Sequence, residues 1–206
     1  MASLSRLSKV VLLAAALLVL PGVAQEARVG APAPAFTATD SQGKNEALDQ
    51  FHGKYVVLEW HNQGCPYTRK HYVSGNMQAL QKEWTAKGVA WFTVISSAPG
   101  QQGYVTPEQE NAYVAKMKAA PTAVLLDPDG KLGHLYNAKT TPQMIVIDPS
   151  GKVIYDGAID NRPTPDVQDI HGADNYVSDA LTAAMAGKPV AAAFTRPYGC
   201  SVKYPD

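Results

Sequence analysis

Val56-Val57-Leu58-Glu59-Trp60-His61-Asn62-Gln63-Gly64-Cys65-Pro66-Tyr67-Thr68-Arg69-Lys70-His71-Tyr72 is the stretch that decides the fold. It opens as an apolar, β-branched run, the pattern of a buried strand. It breaks at Gly64. Pro66 suits the first turn of a helix, because it has no N–H to leave unpaired and its φ is already helical. Cys65 therefore falls at a strand-to-helix turn, where free helix N–H groups point at its sulfur and favour the thiolate. The chain has only two cysteines, and the other, Cys200, lies almost at its end.

The segments around this turn set the architecture. A helix is expected from Pro66 through Tyr72, kinked near Ser74-Gly75 and continuing through Met77, Leu80 and Trp84, whose spacing puts them on one face. Gly88 ends it, and 89–95 reads as a second buried strand. Strand, helical crossover and strand make a parallel βαβ unit. Residues 96–106 have loop composition; 107–118 read as a helix, with Thr106 as N-cap, Pro107 at the first position and Glu108 and Glu110 at the positive end. A further strand is expected at 122–126 and a short helix at 131–137. Runs 144–147 and 152–155 flank Asp148-Pro149-Ser150-Gly151, a β-hairpin signal. A last helix fits 173–187, and 189–206 is a tail without periodicity. Before the quoted stretch, 35–39 reads as a short strand and 46–51 as a helical or irregular piece. This order gives an α/β/α sandwich around a mixed β-sheet.

Composition bounds the rest. Residues 1–24 have the three parts of a secretory signal peptide: Arg6 and Lys9, an apolar run, and small residues up to Ala24. The run of about 11 residues falls short of the roughly 20 that span a membrane, so no stable membrane insertion is expected once it is cleaved. Residues 25–206 then form one domain with a full core. With 18 basic and 18 acidic residues and no basic helix, nucleic acid is not an expected partner. Export implies an oxidising periplasmic or extracellular setting, in which two cysteines allow one bridge or one reactive pair.

The chain resembles the thioredoxin fold and, within it, the redoxin or peroxiredoxin-like group of secreted bacterial proteins, of AhpC/TSA type. The resemblance runs over roughly 28–204. It is carried by Gly-Cys-Pro-Tyr-Thr-Arg-Lys-His-Tyr (64–72), Thr-Thr-Pro-Gln (140–143) before Ile-Val-Ile-Asp-Pro-Ser-Gly-Lys, Tyr-Asp-Gly-Ala-Ile-Asp (155–160) and Arg-Pro-Tyr-Gly-Cys-Ser-Val-Lys-Tyr (196–204). It implies that Cys65 is the nucleophile and that Thr141-Pro142 is the segment whose cis proline lies against the sulfur. It also implies that Glu59, six residues before Cys65, is the buried acid that moves protons to and from the cysteine. Thr68 stands where a thioredoxin has its second cysteine, and Asn62 and Leu58 stand where a peroxiredoxin has Thr and Pro.

These readings define a candidate site. Cys65 is a thiolate candidate, with His61, Arg69, Lys70 and His71 close in sequence to favour the anion. Cys200 reads as a resolving cysteine, as half of a permanent bridge to Cys65, or as an inter-chain partner. Thr68 donates its hydroxyl to the thiolate or caps the helix. Pro66, Arg69, Thr141 and Pro142 border the substrate. Asp160 and Arg162 lie in a loop and read either as part of the site or, the favoured reading, as solvated loop charges. His61, Cys65 and His71 have metal-ligand chemistry, but a copper carrier of this fold needs a second nearby cysteine; no metal and no cofactor is implied. The expected function is an exported thiol oxidoreductase, acting on a peroxide or a protein or small-molecule disulfide and regenerated by a thiol reductant such as a thioredoxin-type partner. The alternative is a non-catalytic binding or structural protein with a static Cys65–Cys200 disulfide.

Overall fold

The computed structural model describes residues 26–205; the leader expected at 1–24 lies outside them. The elements are β1 (Thr37–Thr39), β2 (Asn45–Ala47), β3 (Val56–Trp60), α1 (Pro66–Val73), α2 (Asn76–Ala86), β4 (Ala90–Ile95), α3 (Pro107–Met117), β5 (Ala123–Leu126), α4 (Lys131–Leu135), β6 (Thr140–Thr141), β7 (Gln143–Ile147), β8 (Val153–Gly157), α5 (Tyr176–Met185) and β9 (Cys200–Ser201). Short 3₁₀ turns follow β2 at Leu48–Phe51 and precede α5 at Val167–Ile170. Among the described residues no helix is long and apolar enough to cross a membrane.

The central sheet has five strands in the order β5-β4-β3-β7-β8. β3 pairs parallel with β4 and antiparallel with β7, so the sheet is mixed and β3 lies at its centre. All five residues of β3 are buried, which is why the strand reads as a continuous apolar run rather than an alternation. Alternation still sorts the two faces. Val56, Leu58 and Trp60 join Phe92, Val94, Leu125, Tyr136 and Ile145 in one core layer, covered by α4 and the β1–β2 hairpin. Val57 points the other way, to Trp91, Met144, Val146 and Tyr155, where Met77, Leu80 and Trp84 of α2 and Val177, Ala180 and Leu181 of α5 close the second layer. Fully burying each such large side chain contributes about 1.5–3 kcal/mol. The result is a thioredoxin-like α/β/α sandwich.

Two expectations are corrected. Residues 46–51, expected as one helical or irregular piece, divide in two: Asn45–Ala47 pairs as a strand with β1 before the 3₁₀ turn begins. The expected kink at Ser74-Gly75 is a full break, because Gly75 takes φ 78°, outside the range of a continuing helix, and starts α2. The tail also contains a strand. Cys200–Ser201 pairs antiparallel with Thr140–Thr141, with Cys200 opposite Thr141.

Candidate active site

Cys65 is the N-cap of α1, at the end of the central strand. It is fully buried, at 0 % exposure. Its thiol donates to the Thr141 carbonyl at 3.0 Å, and the Thr141–Pro142 peptide bond beside it is cis. The cover comes from the tail. Cys200 is paired with Thr141, whose carbonyl accepts from the Cys65 thiol, and the two cysteines are near enough to shift each other's ionisation. Gly199, at φ 136°, makes this approach possible: a Cβ there would lie 2.0 Å from the Thr141 oxygen. Both cysteines are free thiols.

The Cys65 thiol is held below its ordinary pKa. Burial pushes it up, but the Cys200 thiol, the Thr68 amide, the Thr141 hydroxyl and the Cys200 amide all favour the thiolate and prevail. Cys200 moves the other way, to about 11, through burial and the nearby Cys65 sulfur. Of the two, Cys65 is the one poised to ionise first.

The basic residues near Cys65 in sequence are not what lowers it. His61 is buried beneath the strand end, 3.8 Å from Glu59 Oε1 through Nδ1, and desolvation holds it neutral with a pKa of about 3. Lys70 and His71 turn to Asp160. Arg69 is exposed, and with Pro66, Lys70, Val73, Pro165 and Val167 it lines a groove of about 190 Å³ beside α1. Thr68 faces the site with its amide, while its buried hydroxyl has no hydrogen-bond partner.

Glu59 faces inward. Oε1 accepts from Tyr72 Oη at 2.7 Å; Oε2 accepts from Trp91 Nε1 at 2.8 Å, Gln81 Nε2 at 3.1 Å and Thr93 Oγ1 at 3.3 Å. Desolvation outweighs these four donors and raises its pKa to about 7. Glu110 of α3 is also raised to about 7, by burial and by Glu59.

Some neighbours gave no signal in the sequence. Gln102 donates to the Gly64 carbonyl at 3.3 Å and accepts from Asn62 Nδ2 through its own carbonyl at 3.2 Å, so the loop after β4 clamps the Cys65 turn. The same loop holds the tail, because the Ala98 amide donates to Lys203 O at 2.8 Å. Asp160, expected as a solvated loop charge, is 2 % exposed and accepts from Tyr198 of the tail. The correction has a physical reason. A polar loop segment carries no mark of which charge the tail will cover.

The profile of the AhpC/TSA family matches residues 29–156. No curated protein matches the chain. Among solved structures, a hypothetical protein of Sinorhizobium meliloti 1021 superposes with a TM-score of 0.73 at 20% identity, covering 88% of this chain and 97% of that one. An uncharacterized conserved protein of Geobacillus kaustophilus gives 0.71 at 23% identity, covering 86% and 93%. A thiol:disulfide interchange protein from Bacteroides sp. gives 0.51 at 22% identity, covering 70% and 88%. These likenesses show the thioredoxin-like fold.

Proposed function

Since the chain belongs to the AhpC/TSA family, a thioredoxin-like redox family, we propose that it is an exported thiol oxidoreductase with Cys65 as nucleophile and Cys200 as its internal partner. The observation that carries this reading is the pairing of Cys200 with Thr141, the residue whose carbonyl accepts from the Cys65 thiol at 3.0 Å. A lowered pKa on one sulfur and a raised one on the other gives them different tasks.

With a peroxide, the Cys65 thiolate attacks the O–O bond. The proximal oxygen stays on sulfur as a sulfenic acid, and the distal oxygen leaves as an alcohol or water after taking a proton. Cys200 then attacks the sulfenic sulfur. Its proton leaves with the hydroxyl as water, and the Cys65–Cys200 disulfide remains. With a disulfide substrate, the thiolate instead displaces one sulfur as a thiol, and Cys200 displaces the other. In either case a thiol reductant such as a thioredoxin-type partner restores the pair. Thr141 and the Thr68 amide favour the thiolate, and Pro66, Arg69 and Pro142 border the approach. Glu59, with a pKa of about 7, is suited to accept and return protons near neutral pH. Two cysteines that cycle through a disulfide suit the oxidising compartment expected if residues 1–24 are a secretory leader.

The test is a thiol titration with one equivalent of hydrogen peroxide. The wild-type protein is expected to lose both thiols and gain an internal disulfide. Cys200→Ser is expected to stop at a sulfenic acid, trapped by dimedone, and Cys65→Ser to leave Cys200 unoxidised. Oxidation of Cys65 no faster than that of a free cysteine, with both peroxide and a small disulfide, would overturn the reading.

A further inference from the structure

The chemistry above makes no use of Asp160, a buried carboxylate just beyond β8. Its Oδ1 accepts the Arg162 amide at 2.9 Å and the Tyr198 hydroxyl. Its Oδ2 faces Lys70 Nζ at 4.0 Å and His71 Nε2 at 3.9 Å. Desolvation keeps His71 neutral, with a pKa of about 3. Asn76 Nδ2 meets its Nδ1 at 2.9 Å, which leaves the ring proton on Nε2, towards Asp160. Lys70 is sealed in with it: Nζ donates to Arg162 O at 2.6 Å and lies 5.3 Å from the centre of the Tyr198 ring.

The placement of these partners matters. Lys70 and His71 belong to α1, the helix that Cys65 begins. Tyr198 stands two residues before Cys200. One carboxylate thus hydrogen-bonds the segment that positions the second sulfur and lies within 4.0 Å of two basic side chains on the element that positions the first. The ladder between the tail and the proline loop is two residue pairs long, too short to fix the tail by itself. A buried, hydrogen-bonded carboxylate is a stronger tie, because releasing a partner leaves a polar group uncompensated.

The geometry points to Asp160 and Tyr198 as positioning residues, a latch that holds the tail on α1, sets Cys200 against Cys65 and keeps the reduced Cys65 covered. This rests on the reading of Cys65 and Cys200 as a redox pair. The latch acts on the disulfide equilibrium through the effective concentration of one thiol at the other. Loosening it makes the disulfide form less readily and makes its potential less negative.

The full-length protein, Tyr198→Phe and Asp160→Asn are equilibrated in glutathione buffers. The reaction takes two protein thiols and one glutathione disulfide to the Cys65–Cys200 disulfide and two glutathione thiols. Two electrons pass to the glutathione disulfide, whose S–S bond breaks, and the two thiol protons end on the glutathione thiols. Tyr198→Phe is expected to lower the equilibrium constant about tenfold, ~30 mV for a two-electron couple. In a Cys200→Ser background, Tyr198→Phe is expected to speed iodoacetamide alkylation of Cys65 by about tenfold, a readout of cover that needs no disulfide. Tyr198→Phe removes one oxygen and keeps the ring, so it serves if Asp160→Asn does not fold. An unchanged potential with an unchanged alkylation rate overturns the latch, even if the melting temperature falls. If the wild type forms no internal disulfide, the redox-pair reading fails, and the alkylation arm still decides the latch.

Discussion

A carboxylate enclosed by Tyr72, Gln81, Trp91 and Thr93 has a stability that depends on pH. Burial raises Glu59 from its usual value near 4.5 to about 7, so the folded state favours its neutral form. Its contribution to stability is fully present below about 4.5 and is lost as the pH rises through about 7. At 1.36 kcal/mol per pKa unit, the loss across that window is ~3 kcal/mol. His61 has the opposite slope. Held neutral with a pKa of about 3, it contributes stability above its usual 6.5 that is lost as the pH falls. The two trends overlap, and Glu110 adds a second term with the sign of Glu59. The difference between wild type and Glu59→Gln isolates Glu59. In urea unfolding, Glu59→Gln is expected to be about 1 kcal/mol less stable than wild type at pH 5, through a lost hydrogen bond. It is expected to overtake wild type by pH 8. A difference that stays flat from pH 5 to 8 would mean that Glu59 is not raised by burial.

At the scale of elements, the short ribbon of β6 and β9 governs access to Cys65. Gly199 enters it at φ 136°, with the Thr141 oxygen where a Cβ would be. Gly199→Ala therefore cannot keep the tail at its present distance. It is expected to lift Cys200 off Thr141 and raise the iodoacetamide reactivity of Cys65 at least severalfold, with the far-ultraviolet circular dichroism unchanged. Equal reactivity would show that the tail does not limit access. The same ribbon marks what the sequence could and could not convey. β3, β4, the β7–β8 hairpin and the helices α2, α3 and α5 carry local patterns: β-branched runs, Asp-Pro-Ser-Gly, helical spacing, and a capping box at Thr106 and Gln109. Two-residue strands carry none, and β9 exists only because the proline loop lies beside it. Glu59 shows a second limit. Every residue of β3 is buried, so apolar alternation was absent and the face of Glu59 could not be read. Lys70 and His71 show a third, because proximity to Cys65 in sequence suggested a thiolate partner and the helix turns them to Asp160 instead.

For the whole molecule, the tail is the outermost layer of the site and the most distant in sequence from Cys65. It leaves α5, and the Ala193 carbonyl and Thr195 amide pair with Asp156, so it covers the open edge of β8. It then crosses the proline loop, takes Ala98 of the β4 loop through Lys203, and ends with Tyr204 Oη donating to Ala138 O at 2.7 Å and its ring stacked on His134. The reduced protein thus already holds its last segment beside the proline loop, and a Cys65–Cys200 bond that keeps this placement leaves the folded state little changed. Its effect then falls on the unfolded chain, where it closes a loop of well over a hundred residues and removes about 5 kcal/mol of chain entropy. Oxidised wild-type protein is expected to be more stable than its reduced form by about that amount in urea unfolding, while Cys200→Ser shows no dependence on oxidant. The measurement also separates two uses of the bond. A gain near 5 kcal/mol fits a tail that is pre-set for Cys65, whereas a gain below about 1 kcal/mol would mean that closing the bond strains the tail out of the position that Tyr198, Thr195 and Tyr204 give it.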